Sequence, residues 1–154
     1  MKSFKLLSAS DNKTLDIGKQ LAKGLKDKEV LILEGDLGAG KTTLTKGLLQ
    51  GLGYKHRVLS PTFTLMRQYK AKFLVNHLDL YRLSSKEFLD IGVFDFLYSP
   101  ESISVIEWGD KIAADLEDYI RIEFSFLSDV RRSLNFTYSG QIKERLSELK
   151  RIFK

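Results

Sequence analysis

Apolar positions in this chain come in two patterns, short unbroken runs and stripes at helical spacing, and their order predicts strands alternating with helices. The clearest run, Glu29-Val30-Leu31-Ile32-Leu33-Glu34, reads as a buried strand. Before it, a Ser10-Asp11 cap opens a helix over about 12–26 with Leu15, Gly18, Ala22 and Leu25 at helical spacing. This helix is expected to pack on the sheet edge. After the run, Leu44, Leu48 and Leu52 mark one face of a second helix that ends at a Gly53 cap.

Pro61 bars Ser60 from helical angles, so an extended loop begins there and leads into a strand reaching about Tyr69. Lys70-Ala71-Lys72 reads as a hairpin turn and Phe73 to Leu80 as the returning strand. Asn76 and His77 interrupt its apolar run, which weakens it as the carrier of a metal site. His77 is expected to be a hydrogen-bonded structural histidine rather than a base. Ser84 and Glu87 are spaced as a capping box for a short helix that Gly92 ends, and Val93 to Tyr98 is expected in the core with a short helical turn.

Ile103-Ser104-Val105-Ile106-Glu107-Trp108 is a cleaner apolar strand, again closing on a carboxylate. Tyr119 to Phe126 and Ser133 to Tyr138 alternate as two more strands. In the last stretch, Gln141 to Lys154, Ile142, Leu146, Leu149 and Ile152 share one face of a docking helix. Its basic side, Lys143, Arg145, Lys150 and Arg151, is expected to be solvated.

With 154 residues, two prolines and no repeats or linkers, the chain is expected to form a single domain over 1–154. Having no cysteine, it has no disulfides or thiolate metal sites, which suits a reducing compartment. The first ten residues carry only scattered apolar positions, and no later stretch approaches the roughly 18 of a membrane span. A soluble cytoplasmic protein with no membrane association is expected. The net charge of +5 favours polyanions, nucleotides and RNA among them, but the basic residues are spread as on an ordinary solvated surface.

The chemistry concentrates between the first strand and the second helix. Gly35-Asp36-Leu37-Gly38-Ala39-Gly40-Lys41-Thr42 fits the phosphate-loop pattern G-x-x-x-x-G-K-[ST] in the strand–loop–helix setting the pattern requires. The glycines admit backbone angles closed to other residues and leave no side chain between the amides and a phosphate. Lys41 is expected to reach the β- and γ-phosphates, and the Thr42 hydroxyl to take one Mg²⁺ position. Asp79 and Glu107, each at the end of a strand, compete for the metal or for orienting water. Ser60-Pro61-Thr62 is either a hydroxyl-bearing switch loop or a strand-entry turn, and Trp108 either a core aromatic or part of a binding rim.

A GTPase is disfavoured, because no Asp stands three residues before any glycine and Asn12-Lys13 is not followed by Asp in register. A small-molecule kinase is disfavoured by arginines scattered at 57, 67, 82, 121, 131 and 132 with no Arg-rich lid. ATP hydrolysis in a coupling or switching role remains. The ordered blocks Gly35 to Thr43, Ser60 to Leu65, His77-Leu78-Asp79-Leu80-Tyr81-Arg82-Leu83 and Ile106-Glu107-Trp108 resemble the TsaE family. The resemblance covers most of residues 10–110 and is faint beyond about 112.

That resemblance implies an α/β fold of the P-loop NTPase kind, mainly parallel with antiparallel edge strands and helices on both faces. It implies an ATPase that acts with TsaB and TsaD in forming threonylcarbamoyladenosine at adenosine 37 of tRNA, supports repeated turnover, and reaches tRNA indirectly through the complex. Its cofactors would be ATP and Mg²⁺. By position, Gly35, Asp36, Leu37, Gly38, Ala39, Gly40, Lys41, Thr42 and Thr43 would hold the nucleotide, with Thr62, Trp108 and either Arg132 or Arg131 near it. Lys41, Asp79 and Glu107 would be catalytic, and Thr42, Asp79 and Glu107 would hold the metal. With no arginine placed as a finger, hydrolysis is expected to be slow alone and faster with partners. A nucleotide-gated binding module and a small P-loop kinase are the alternatives.

Overall fold

The apolar run becomes β2 (Val30–Glu34) in the computed structural model, which describes residues 1–61, 64–90 and 92–154. Val30 to Leu33 are at most 1% exposed because β2 has a parallel neighbour on each side, β5 (Ser102–Glu107) and β6 (Tyr119–Phe126). A strand covered on both faces has no solvent side, which accounts for its unbroken apolar composition. Next to β5 lies β4 (Leu74–Asp79), also parallel, and β3 (Met66–Lys70) closes that margin as its antiparallel hairpin partner. On the other margin β7 (Arg132–Ser139) pairs antiparallel with β6, and β1 (Phe4–Ser8) with β7. The sheet order is β1-β7-β6-β2-β5-β4-β3, a parallel centre with antiparallel edges, as the resemblance implies.

One face is covered by α1 (Asp11–Ala22), α2 (Lys41–Gly51) and α4 (Arg145–Ile152), whose apolar sides share a core with Leu31, Leu33, Val75, Val105 and Ile122. The other face, built on Val30, Ile32, Leu78 and Ile106, is covered mainly by single turns at 93–95, 109–111 and 113–115. α3 (Ser85–Asp90) leads into these turns; the Glu87 amide donates to the Ser84 hydroxyl as a capping box predicts, while the Glu87 carboxylate accepts from that hydroxyl. Among the described residues no helix is long and apolar enough to cross a membrane.

α1 crosses α2 at bare backbone. A Cβ on Gly18 would stand 2.3 Å from the Leu44 carbonyl oxygen, and one on Gly47 2.0 Å from that of Leu15. These glycines bring two helix axes together more closely than any side chain allows.

The structure departs from the sequence pattern at several points. β1 was not foreseen: its burial alternates, with Phe4, Leu6 and Ser8 inward, but an exposed Leu7 and a buried Ser8 hide that alternation in the sequence. α1 ends at Ala22, four residues early, and α4 begins at Arg145, leaving Ile142 51% exposed rather than on the docking face. Arg145 is not solvated. It is 2% exposed, with its guanidinium on the Glu29 carboxylate, the Gly24 carbonyl at 2.6 Å and Glu148 at 3.2 Å. Asn76 and His77 interrupt the apolar run without breaking β4, since each finds a partner inside the sheet: Gln68 donates to Asn76 at 2.8 Å, and His77 bonds Glu107.

Candidate functional site

Three parallel strands end together, and the site forms where they end. β2 runs into the glycine loop, while β4 and β5 close on Asp79 and Glu107, which are register partners across the sheet. Parallel strands present their C-terminal ends at one edge, so a loop after one strand and acids closing two others meet without long-range design. Gly38 (φ +80°) and Gly40 (φ +109°) hold the loop in left-handed angles, and Gly40 caps α2 with no side-chain acceptor. The first-turn amides therefore have no capping side chain competing with an anion.

A cavity of about 280 Å³ lies here, lined by Leu37 to Thr43, Asp79, Glu107, Trp108 and Asp11. The structure thus brings together seven loop residues, both acids and the tryptophan. Gly35 and Asp36 do not line the cavity, although the Gly35 carbonyl accepts from the Lys41 ammonium. Lys41 is 5% exposed, and its ammonium also sits 3.9 Å from the centre of the Trp108 ring. Burial holds Lys41 below its ordinary range; Glu107 first, then Asp79, Asp36 and Asp110, act against that fall.

Glu107 is 4% exposed and receives a hydrogen bond from His77 Nε2 at 2.7 Å, while the Thr42 hydroxyl stands 3.4 Å from both of its oxygens. Asp79, 7% exposed, accepts the Tyr81 amide at 2.9 Å. The turn after it is gripped by Lys111, whose ammonium donates to the carbonyls of Leu80, Tyr81 and Leu83 at 2.8, 3.0 and 2.9 Å. Trp108 takes a left-handed φ of +61°, donates its amide to Leu33 and packs 5.0 Å from the Tyr81 ring. It is thus a wall of the cavity as well as a packed aromatic.

Arg132 comes within 3.5 Å of the Gly38 carbonyl at the loop tip, but its guanidinium serves the β6–β7 turn, donating to Ser128, Asp129 and Arg131 carbonyls and lying over Phe126. Thr62 lies outside the described residues. Sequence reasoning missed Asp11, Lys111 and the His77–Glu107 contact. The last was accessible: a residue two before Asp79 on a strand shares its face. Lys111 acts on carbonyls about thirty residues away and leaves no local pattern.

No described group of three or more His, Cys, Asp or Glu is placed to hold a metal alone. The oxygens of Thr42, Asp79 and Glu107 nevertheless suit Mg²⁺, which keeps several waters and leans on phosphates rather than on an all-protein cage.

A family profile described as "Threonylcarbamoyl adenosine biosynthesis protein TsaE" matches residues 8–134, beyond the point where motif resemblance fades. Proteins named tRNA threonylcarbamoyladenosine biosynthesis protein TsaE align over most of the chain. That of Treponema pallidum is 38% identical over 133 residues (85% of this chain, 98% of the relative), and that of Bacillus subtilis 37% over 150 residues (96% and 94%). That of Haemophilus influenzae is 42% identical over 125 residues, covering 76% and 78%. The crystal structure of Bacillus subtilis YdiB superposes with a TM-score of 0.83 at 32% identity, covering 99% of this chain and 97% of that one.

Proposed function

The chain belongs to the TsaE family of tRNA threonylcarbamoyladenosine biosynthesis, and from that premise we propose that it is the Mg²⁺-dependent ATPase of that pathway's machinery. The observation that carries the proposal is one cavity bounded by the glycine loop, Lys41, Thr42, Asp79 and Glu107. The loop amides and Lys41 bind the phosphates, and Thr42 with Glu107 and Asp79 holds the metal directly or through water. Bound Mg²⁺ supplies charge neutralisation on the β- and γ-phosphates. The residues of the chain contribute position and electrostatics, holding an attacking water in line, and none forms a covalent bond.

Arg132 is occupied by the β6–β7 turn, and no arginine lines the cavity among the described residues. Charge developing on the transferred phosphoryl group then lacks a guanidinium, which supports slow hydrolysis by the isolated protein and faster hydrolysis with TsaB and TsaD. We place the protein in the cytoplasm, meeting tRNA through those partners. Steady-state phosphate release should rise when TsaB and TsaD are added and fall to background in Lys41→Ala. Equal rates with and without partners would remove the activation, and undiminished activity in Lys41→Ala would refute the site.

A second reading, a module gated by nucleotide occupancy, is favoured by the Lys41 contacts, because a phosphate in the cavity competes with Gly35 and Trp108 for the ammonium. A Glu107→Ala protein that binds ATP without hydrolysing it, yet supports the modification, would select that reading.

A further inference from the structure

His77 is fully buried, and its two ring nitrogens are treated very differently. Nε2 lies 2.7 Å from Glu107 Oε2, while Nδ1 is buried with no hydrogen-bond partner among the described residues. A histidine kept for architecture would ordinarily satisfy both nitrogens, since a buried unpaired polar atom costs free energy. Here all of the ring's polar chemistry is spent on one carboxylate. Because the carboxylate can only accept, Nε2 is the donor.

The register explains how the ring reaches. His77 pairs with Val105 and Asp79 with Glu107, so positions 75, 77 and 79 of β4 share a face with 103, 105 and 107 of β5. Glu107 is the diagonal neighbour of His77 on that face, beneath the α2 terminus that carries Thr42. His77 is also the shortest hydrogen bond to Glu107 among the described residues: Thr42 stands 3.4 Å from either oxygen, outside a strong hydrogen bond. The competing attraction is Lys41, on which Glu107 acts more strongly than any other charge. A glutamate with three rotatable bonds between a hydroxyl and an ammonium needs a fixed donor to keep one orientation.

We propose that His77 is a positioning residue: through Nε2–H it holds Glu107 in the orientation that offers the carboxylate to Thr42 and to a nucleotide-bound divalent cation. The proposal rests on the reading of Glu107 as part of the metal site given above. Outer-shell donors of this kind typically govern about 10–100-fold in metal affinity.

Calorimetry with ADP, in Mn²⁺ and separately in EDTA, tests it on the wild type, His77→Asn, His77→Leu and His77→Gln, with thermal melting of each. Gln carries its amide nitrogen to about the reach of Nε2, whereas Asn stops near Nδ1 and Leu donates nothing. His77→Asn and His77→Leu should lose about 10–100-fold in affinity for Mn·ADP and stay within about two-fold for ADP in EDTA. His77→Gln should recover most of the loss. If His77→Leu does not fold, the Asn and Gln variants decide between them. A metal-dependent gain that survives intact in His77→Asn would overturn the assignment, as would a folded His77→Gln no better than His77→Asn. A wild type that gains nothing from Mn²⁺ would instead overturn the metal site of the proposed function, and this assignment with it.

Discussion

The Lys41 ammonium rests 3.9 Å from the centre of the Trp108 ring, and Trp108 is the only tryptophan in the chain. A cation over an indole face is held by the ring quadrupole, and here the Gly35 carbonyl holds it as well. A phosphate on the glycine loop competes with both for the ammonium. Titration with Mg·ATP should therefore give a saturable change in tryptophan emission, and Lys41→Ala should differ from wild type before nucleotide is added and respond little afterwards. An emission spectrum indifferent to nucleotide in a protein shown by calorimetry to bind it would mean that Lys41 does not move.

The same buried ammonium makes stability depend on pH. Lys41 lies below its ordinary 10.5 when folded, chiefly through burial, so between its folded value and 10.5 the unfolded chain holds a proton that the folded one has released. Stability rises with pH wherever the unfolded state binds more protons. The melting temperature of wild type relative to Lys41→Met should therefore climb as pH approaches 10.5, and level off above it. A difference that is flat across that window would show that Lys41 keeps its ordinary proton affinity.

Much of the site was legible because it is local. Gly35 to Thr42 is a contiguous string between an apolar run and a helical stripe, and Glu107 closes a second such run. What failed depended on partners distant in sequence. Asn76 and His77 look like interruptions until Gln68 and Glu107 stand beside them. Arg145 looks solvated until Glu29, 116 residues earlier, meets its guanidinium. β1 alternates in burial, but its outward Leu7 is apolar and its inward Ser8 polar, so the apolar pattern of the sequence does not follow the strand.

Arg145 tests stability away from the glycine loop. Its guanidinium bridges the Glu29 carboxylate, the Gly24 carbonyl and Glu148, joining α4 to the segment between α1 and β2. Removing one member of a buried ion pair leaves the other desolvated and alone, at a cost of about 3–5 kcal/mol. Arg145→Ala should lose on that order in denaturant unfolding. Since Glu29 precedes β2 and the glycine loop follows it, the folded fraction should bind ATP as wild type does. A loss well under 1 kcal/mol would mean that water takes the place of the guanidinium.

The α1–α2 crossing ties the fold to the site, and Gly47 is where that tie can be tested. A Cβ at Gly47 would stand 2.0 Å from the Leu15 carbonyl oxygen and 2.9 Å from its carbon, both backbone atoms that no rotamer change can move aside. Gly47→Ala raises intrinsic helix propensity by about 1 kcal/mol, so an exposed glycine there would stabilise α2 on substitution. Contact with backbone reverses the sign, because α1 and α2 must separate, and overpacking of this kind costs about 1–3 kcal/mol or more. The separation reaches the cavity directly: α2 begins at Lys41 and Thr42 and α1 at Asp11, and all three line it. Gly47→Ala should therefore unfold at lower denaturant and bind ATP more weakly than wild type even where fully folded. Gly53→Ala serves as the control, since a Cβ there meets nothing within 4 Å and its cost comes only from a left-handed φ of +91°. It should destabilise without weakening ATP binding in the folded protein; a Gly47→Ala protein that behaves the same way would show that the helix crossing and the phosphate loop are independent.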